Sequence, residues 1–151
     1  MDTDITRSYD VHAETIGDGT SEALTKQTTI PFDSSPRQGD ELPGPADLLT
    51  TAFAACVLKN VERMAGILPF RFERAAIDVH SERQDSPPRM TLVRYRLEVV
   101  TDEPPERVDL LHRNIRRHGT VYNTLAAACD VDGDIVAIQS TTNDVPVGTS
   151  Q

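Results

Sequence analysis

Cysteine is scarce in this chain. Only Cys56 and Cys129 occur in 151 residues, too few for the disulfide framework that holds small secreted domains together. Basic charge is in deficit: 15 Lys and Arg stand against 24 Asp and Glu, a net charge of −9. Such a surface repels polyanions, so neither nucleic acid nor an anionic membrane is expected as a partner. No apolar run approaches the roughly 20 residues that span a bilayer, and no cationic, apolar leader opens the chain. A cytoplasmic location with free thiols is the expectation. The four histidines, His12, His80, His112 and His118, show no His-x-x-x-His pairing, so no metal is expected. Internal repeats and low-complexity tracts are missing as well.

The length suits one domain over residues 1–151, with 140–151 as a polar, frayed tail. Charge is uneven: residues 1–50 hold ten acids and three bases, residues 51–151 fourteen acids and twelve bases.

The chain is organised around residues 45–66, which read as one long helix. Pro45 suits its first turn, where no amide proton is needed. Asp47 adds negative charge at the positive end of the helix dipole. Leu49, Ala52, Phe53, Cys56, Val57, Val61 and Met64 recur at three- and four-residue steps and share a face. Charged and amide side chains (Lys59, Asn60, Glu62, Arg63) enter only in the last two turns, so the first half is apolar nearly all round. Gly66 is a plausible stop. Cys56 therefore sits mid-helix in the most apolar part of the chain. A single sheet leaves the far side of such a helix wet, which suggests that a second subunit covers it.

Around it the pattern is mixed. Residues 5–15 and 20–30 read as two strands of a hairpin turning at Gly17-Asp18-Gly19. Residues 31–44, with Pro31, Pro36, Gly39, Pro43 and Gly44, read as a loop. A strand is expected over 70–82 and a turn at Asp85-Ser86-Pro87-Pro88. Residues 91–100 alternate Val93, Tyr95, Leu97 and Val99 with Arg94, Arg96 and Glu98, a strand with one wet face. A helix follows over 104–118, capped by Thr101-Asp102, striped by Val108, Leu111 and Ile115, and basic at its end through Arg113, Arg116 and Arg117. Gly119 stops it and Thr120 opens a short helix. Asp132-Gly133 reads as a turn before a last strand, Asp134–Gln139. Strands and helices do not alternate regularly. The fold class is therefore α+β, with an antiparallel sheet packed on the long central helix.

Pro45-Ala46-Asp47-Leu48-Leu49-Thr50-Thr51-Ala52-Phe53-Ala54-Ala55-Cys56 resembles the central helix of the OsmC/Ohr family, named for osmotically induced protein and organic hydroperoxide resistance. His118-Gly119-Thr120-Val121-Tyr122-Asn123-Thr124-Leu125 resembles that family's second-cysteine motif, of the form Cys-Pro-x-Ser-Asn-Thr-Leu. The resemblance covers about residues 5–139. It implies an OsmC-like α+β fold and an intertwined homodimer with buried central helices. It also implies reduction of organic hydroperoxides by a helix cysteine, here Cys56, with no cofactor. Family enzymes add a resolving cysteine, a glutamate and an arginine. The resolving cysteine falls on Gly119 and the glutamate on Ala46. Asp47 lies one residue further on, turned about 100° around the helix. The arginine falls in the Gly17-Asp18-Gly19 turn, which leaves Arg37 as a spare candidate. Phe53, Tyr122 and Asn123 are the expected pocket residues.

Two readings of function stay open. Thiol reduction of a peroxide needs a thiolate, which attacks one oxygen and becomes a sulfenic acid. A free thiol is mostly protonated at neutral pH, so a cation has to come from another segment or from the partner subunit. In the first reading, Cys56 reduces organic hydroperoxides and an external thiol completes the cycle. Cys129 could resolve the sulfenic acid instead if the fold brings it close. In the second, the family's catalysis is lost. Cys56 is then a small buried hydrophobe, and the fold holds an apolar small molecule or serves a non-enzymatic stress role.

Overall fold

The computed structural model describes residues 4–37 and 39–140. The proposed tail beyond residue 140 lies outside them. The chain forms two compact units, residues 1–49 and 50–151.

The N-terminal unit is an antiparallel sheet in the order β1-β2-β3, with β1 at His12–Gly17, β2 at Thr20–Thr25 and β3 at Thr28–Asp33. The β1–β2 turn forms as its glycines predict: Gly17, Asp18 and Gly19 all have positive φ, a conformation that costs glycine little. The expected hairpin, however, is a three-stranded meander. A second turn splits residues 20–30, with Lys26 at φ 52°. Nothing in Thr25-Lys26-Gln27-Thr28 advertises it, because lysine rarely adopts that region. Pro31, expected in a loop, lies in β3 opposite Glu22. β3 is an edge strand, where a missing amide proton can be tolerated. After β3 the chain turns on Asp33. Its carboxylate accepts the amide protons of Ser35 (2.8 Å) and Gly39 (3.0 Å). Hydrogen bonding from Ser35 holds that carboxyl below the usual range. Ile5, Tyr9, Val11, Ile16 and Leu24 are exposed. So the unit presents apolar side chains that nothing within the described residues covers.

Helix α1 runs from Pro45 to Ile67. Its start is fixed by Asp47, whose Oδ2 accepts the Gly44 amide proton at 3.0 Å. From Thr50 onward it belongs to the C-terminal unit. There it is joined by β4 (Arg74–Asp85), β5 (Pro88–Val100), α2 (Pro105–His118), α3 (Thr120–Ala128) and β6 (Asp130–Ile138). β4 and β5 pair antiparallel, from Arg74 opposite Val100 to Asp85 opposite Pro88. β5 and β6 pair parallel, from Leu92 opposite Asp130 to Val100 opposite Ile138. The sheet is thus mixed, not purely antiparallel as the sequence suggested. The reason is topological. α2 and α3 carry the chain back to the start of β5, and a strand added after such a crossover runs parallel.

The core follows the periodicities. α1 contributes Phe53, Val57, Val61 and Met64, β5 contributes Val93, Tyr95, Leu97 and Val99, α2 contributes Val108, Leu111 and Ile115, and α3 contributes Tyr122 and Leu125. Each large side chain buried here is worth roughly 1.5–3 kcal/mol. The opposite side of α1 is less enclosed: Ala52, Ala54 and Leu58 are half-buried, and Thr51, Ala55 and Lys59 are exposed. Among the described residues no helix is long and apolar enough to cross a membrane.

Asp132-Gly133 is not a turn. Gly133 stands inside β6, opposite Tyr95 of β5. A Cβ there would meet Tyr95 at 2.4 Å. The glycine is required by close packing against that residue, and its reading as turn punctuation was mistaken. At the far end of the sheet, Arg107 ties α2 to the α1–β4 connection. Its guanidinium donates to Glu103 (3.1 Å) and to the carbonyls of Leu68 (2.5 Å) and Pro69 (3.0 Å).

Candidate active site

Gly119 joins α2 to α3. It ends the first helix, with its amide proton on the Ile115 carbonyl at 3.1 Å, and begins the second, with its own carbonyl accepting from Asn123 at 2.8 Å. That double role places the α2–α3 corner against α1. A Cβ on Gly119 would lie 3.3 Å from Cys56 Sγ, 3.1 Å from the Ile115 carbonyl oxygen and 2.8 Å from Tyr122 Cβ. The sulfur therefore packs directly on the position to which the resemblance assigns a second cysteine. Gly119 φ is −75°, so contact rather than backbone geometry calls for glycine here.

Cys56 is half-buried and forms no disulfide. Its polar neighbour on α1 is Asn60, which sequence reading grouped with the helix's wet end. Asn60 is only 7% exposed. Its Nδ2 donates to the Cys56 carbonyl at 2.8 Å and lies 3.6 Å from Cys56 Sγ. The four-residue spacing of Cys56 and Asn60 could have revealed this, since such pairs face each other on a helix.

Phe53 is fully buried. Its ring stacks obliquely on Tyr122 (centroids 5.4 Å apart) and Tyr95 (5.7 Å). Tyr95 and His112 share a hydrogen bond of 2.6 Å between Oη and Nε2. Burial, and then the neighbouring Tyr122 phenol, push the Tyr95 phenol far above the usual tyrosine range. Burial, and then the Arg116 charge, push His112 down, so His112 is neutral near pH 7 and can accept the Tyr95 proton. The Tyr122 hydroxyl is buried and finds no hydrogen-bond partner among the described residues.

The structure thus gathers Cys56, Gly119, Phe53 and Tyr122 in the C-terminal unit. Asn123 lies on the exposed side of the same corner, where its Nδ2 donates to the Arg117 carbonyl at 3.0 Å. Arg37 and Asp47 belong to the N-terminal unit. The Arg37 carbonyl accepts from Ser35 Oγ at 2.8 Å, and Asp47 holds the start of α1. Cys129 closes α3 at the end opposite Gly119, with its Sγ donating to the Leu125 carbonyl at 3.3 Å. Burial, and then Asp130, raise its thiol above the usual range. Ten residues of mostly helical chain put it roughly 15 Å from Gly119. That is too far for a resolving role toward a sulfur seated at Gly119, since a disulfide needs Cα atoms within about 7 Å. The described residues contain no cluster of His, Cys, Asp and Glu able to hold a metal ion.

Comparison with known proteins agrees with this architecture. The family model described as OsmC-like protein matches residues 38–133. No curated protein sequence matches the chain. Among solved structures, an OsmC-like protein of Mycoplasma pneumoniae superposes with a TM-score of 0.80 at 18% identity, covering 89% of this chain and 99% of that one. An organic hydroperoxide resistance protein of Legionella pneumophila gives 0.69 at 15% identity, covering 86% and 98%. That of Bacillus subtilis gives 0.64 at 16% identity, also covering 86% and 98%. With a family match over well over half its length and this shared fold, the chain belongs to the OsmC-like protein family.

Proposed function

We propose that this protein is a cysteine-based reductase of organic hydroperoxides, working in the cytoplasm as a homodimer. The observation that carries the proposal is the seat of Cys56. Its half-buried sulfur, free of any disulfide, is held between the Asn60 amide and the Gly119 corner, on the helix whose sequence resembles that of the peroxide-reducing proteins. Relatives named organic hydroperoxide resistance proteins share the fold.

The chemistry is a displacement at oxygen. The Cys56 thiolate attacks one peroxide oxygen, an S–O bond forms and the O–O bond breaks. The leaving alkoxide takes a proton and departs as an alcohol, and Cys56 remains as a sulfenic acid. Gly119 carries no thiol and Cys129 is remote, so an external thiol attacks the sulfenic sulfur and expels water. A second external thiol then releases Cys56 and leaves as a disulfide. Phe53 and Tyr122 are both buried in the core, and apolar surroundings of this kind would favour an organic group on the peroxide over hydrogen peroxide. Dimer formation would cover Ile5, Tyr9, Val11 and Ile16 of the N-terminal unit.

The test uses stoichiometric cumene hydroperoxide on the Cys129→Ser protein, with a sulfenic-acid trap and mass spectrometry. Labelling at Cys56, and loss of peroxide consumption in Cys56→Ala, is the expected outcome. Unchanged consumption in Cys56→Ala refutes the proposal. A second reading, a catalytically silent member that binds a small apolar molecule, is favoured by the buried Tyr122 hydroxyl, for which the described residues offer no partner of good hydrogen-bond geometry. A co-purified ligand seen by native mass spectrometry, with Cys56 inert to peroxide, would establish it.

A further inference from the structure

Burying an amide costs on the order of 1–3 kcal/mol unless its hydrogen bonds are made. Asn60 is the amide buried on α1, and its surroundings show what it is for. The NH2 group has two protons. One is used on the Cys56 carbonyl at 2.8 Å, and the same nitrogen stands 3.6 Å from Cys56 Sγ. The carbonyl also fixes the orientation. The amide oxygen cannot face a carbonyl oxygen, so the nitrogen is the end held at the Cys56 carbonyl, and it is the nitrogen that lies within reach of the sulfur.

We propose that Asn60 is the hydrogen-bond donor that stabilises the reactive, negatively charged form of the Cys56 sulfur. The assignment deepens the peroxidase reading and rests on it for its role in turnover. A thiol sulfur is a weak acceptor, whereas an ionised one makes the stronger, charge-assisted bond. The contact therefore gains strength as the S–H proton leaves, and this favours the species that attacks peroxide. A neutral amide does this without bringing a second charge into a half-buried site, so the desolvation cost of an ion pair is avoided. A donor four residues along α1 requires no other segment to supply it.

The test compares Asn60→Ala and Asn60→Asp with the parent, all in the Cys129→Ser background. Iodoacetamide alkylation of Cys56 is followed from about pH 5 to about pH 10, around the thiol range, alongside the rate with cumene hydroperoxide. Both variants should alkylate at least about three-fold more slowly at neutral pH, the weight of one modest hydrogen bond. Their pH–rate profiles should move to higher pH. Asn60→Asp, which keeps the shape but replaces the NH2 group with a second anion, should move furthest. Superimposable profiles overturn the assignment.

If either variant fails to fold, the Asn60 side-chain NH2 resonances of the parent protein decide. They should shift as the Cys56 thiol ionises, and resonances that stay fixed through that ionisation overturn the assignment. The two proposals fail separately. Displaced profiles with no peroxide consumption by the parent leave Asn60 as the donor and remove the peroxidase reading. Peroxide consumption with coincident profiles does the reverse.

Discussion

Gly119→Ala adds one methyl group where α1, α2 and α3 meet. The added carbon would stand 2.8 Å from Tyr122 Cβ, 3.1 Å from the Ile115 carbonyl oxygen and 3.3 Å from Cys56 Sγ. The first contact is shorter than carbon atoms tolerate, and neither partner is a free side-chain end. Tyr122 Cβ is fixed to the α3 backbone, and the Ile115 carbonyl already accepts the Gly119 amide proton. Relief therefore requires α3 to shift, and overpacking of this kind costs about 1–3 kcal/mol. Backbone conformation works the other way. At φ −75° alanine is unstrained, and losing glycine's freedom in the unfolded chain stabilises by about 0.4–1 kcal/mol. Because the 2.8 Å contact is fixed to backbone on both sides, the overpacking cost is expected in the upper half of its range, for a net destabilisation of about 1–2.6 kcal/mol. Urea denaturation followed by circular dichroism reads this as a lower midpoint at unchanged slope. Cys56 alkylation should slow as the methyl group presses on its sulfur. A variant as stable as the parent or more so, with unaltered alkylation, would refute the contact between Gly119 and Cys56 on which the site is built.

Gly133→Ala is expected to be more severe, because its Cβ would meet the Tyr95 carbonyl oxygen as well as the ring at 2.4 Å. A loss of at least about 3 kcal/mol, at the top of the overpacking range, should appear in the same denaturation assay. Tyr122→Phe removes a buried hydroxyl that has no partner among the described residues. Its stability should hold or rise by up to about 1 kcal/mol. Acid should weaken the fold through His112. Its folded pKa is depressed, by burial first, so the unfolded chain takes up the proton first. This contribution is intact above an unfolded value of about 6.5 and is lost as pH falls through the lower folded value. His112→Gln should flatten that part of the stability–pH curve measured by urea titration.

Much of this was legible wherever periodicity and burial coincide. The Phe53, Val57, Val61 and Met64 part of the α1 stripe, the alternation on β5 and the seam on α2 point inward as their spacing requires, because a side chain's direction follows from the helical or pleated repeat; Leu49, at the start of the same stripe, is exposed. The missed features depend on what lies opposite in space. Gly133 looked like a turn because nothing local reveals that Tyr95 lies across the sheet from it. The parallel pairing of β6 is set by a crossover of two helices, not by any residue in β6. Lys26 turns the chain without the usual glycine or asparagine. At the site, Cys56 was visible from its motif. Asn60 was not, since an amide near the charged end of a helix reads as wet until burial places it. The contact of Gly119 with Cys56 joins two helices whose packing no local pattern encodes. Only the family pattern hinted that positions 63 residues apart in sequence would meet.

The parallel strand also sets an order of events. β5 ends at Val100 and β6 begins at Asp130, so that pairing closes only after the intervening helices have formed and folded back. α1, β4 and β5 leave a ribosome earlier, and antiparallel pairing of β4 with β5 spans only a short turn. Until the crossover docks, no Gly119 corner lies on the Cys56 sulfur. The newborn chain therefore passes through an interval in which no α2–α3 corner covers its thiol. Cells under peroxide stress would meet that unfinished form alongside the mature one. Oxidation at this stage would strike a sulfur that α2 and α3 have yet to pack against.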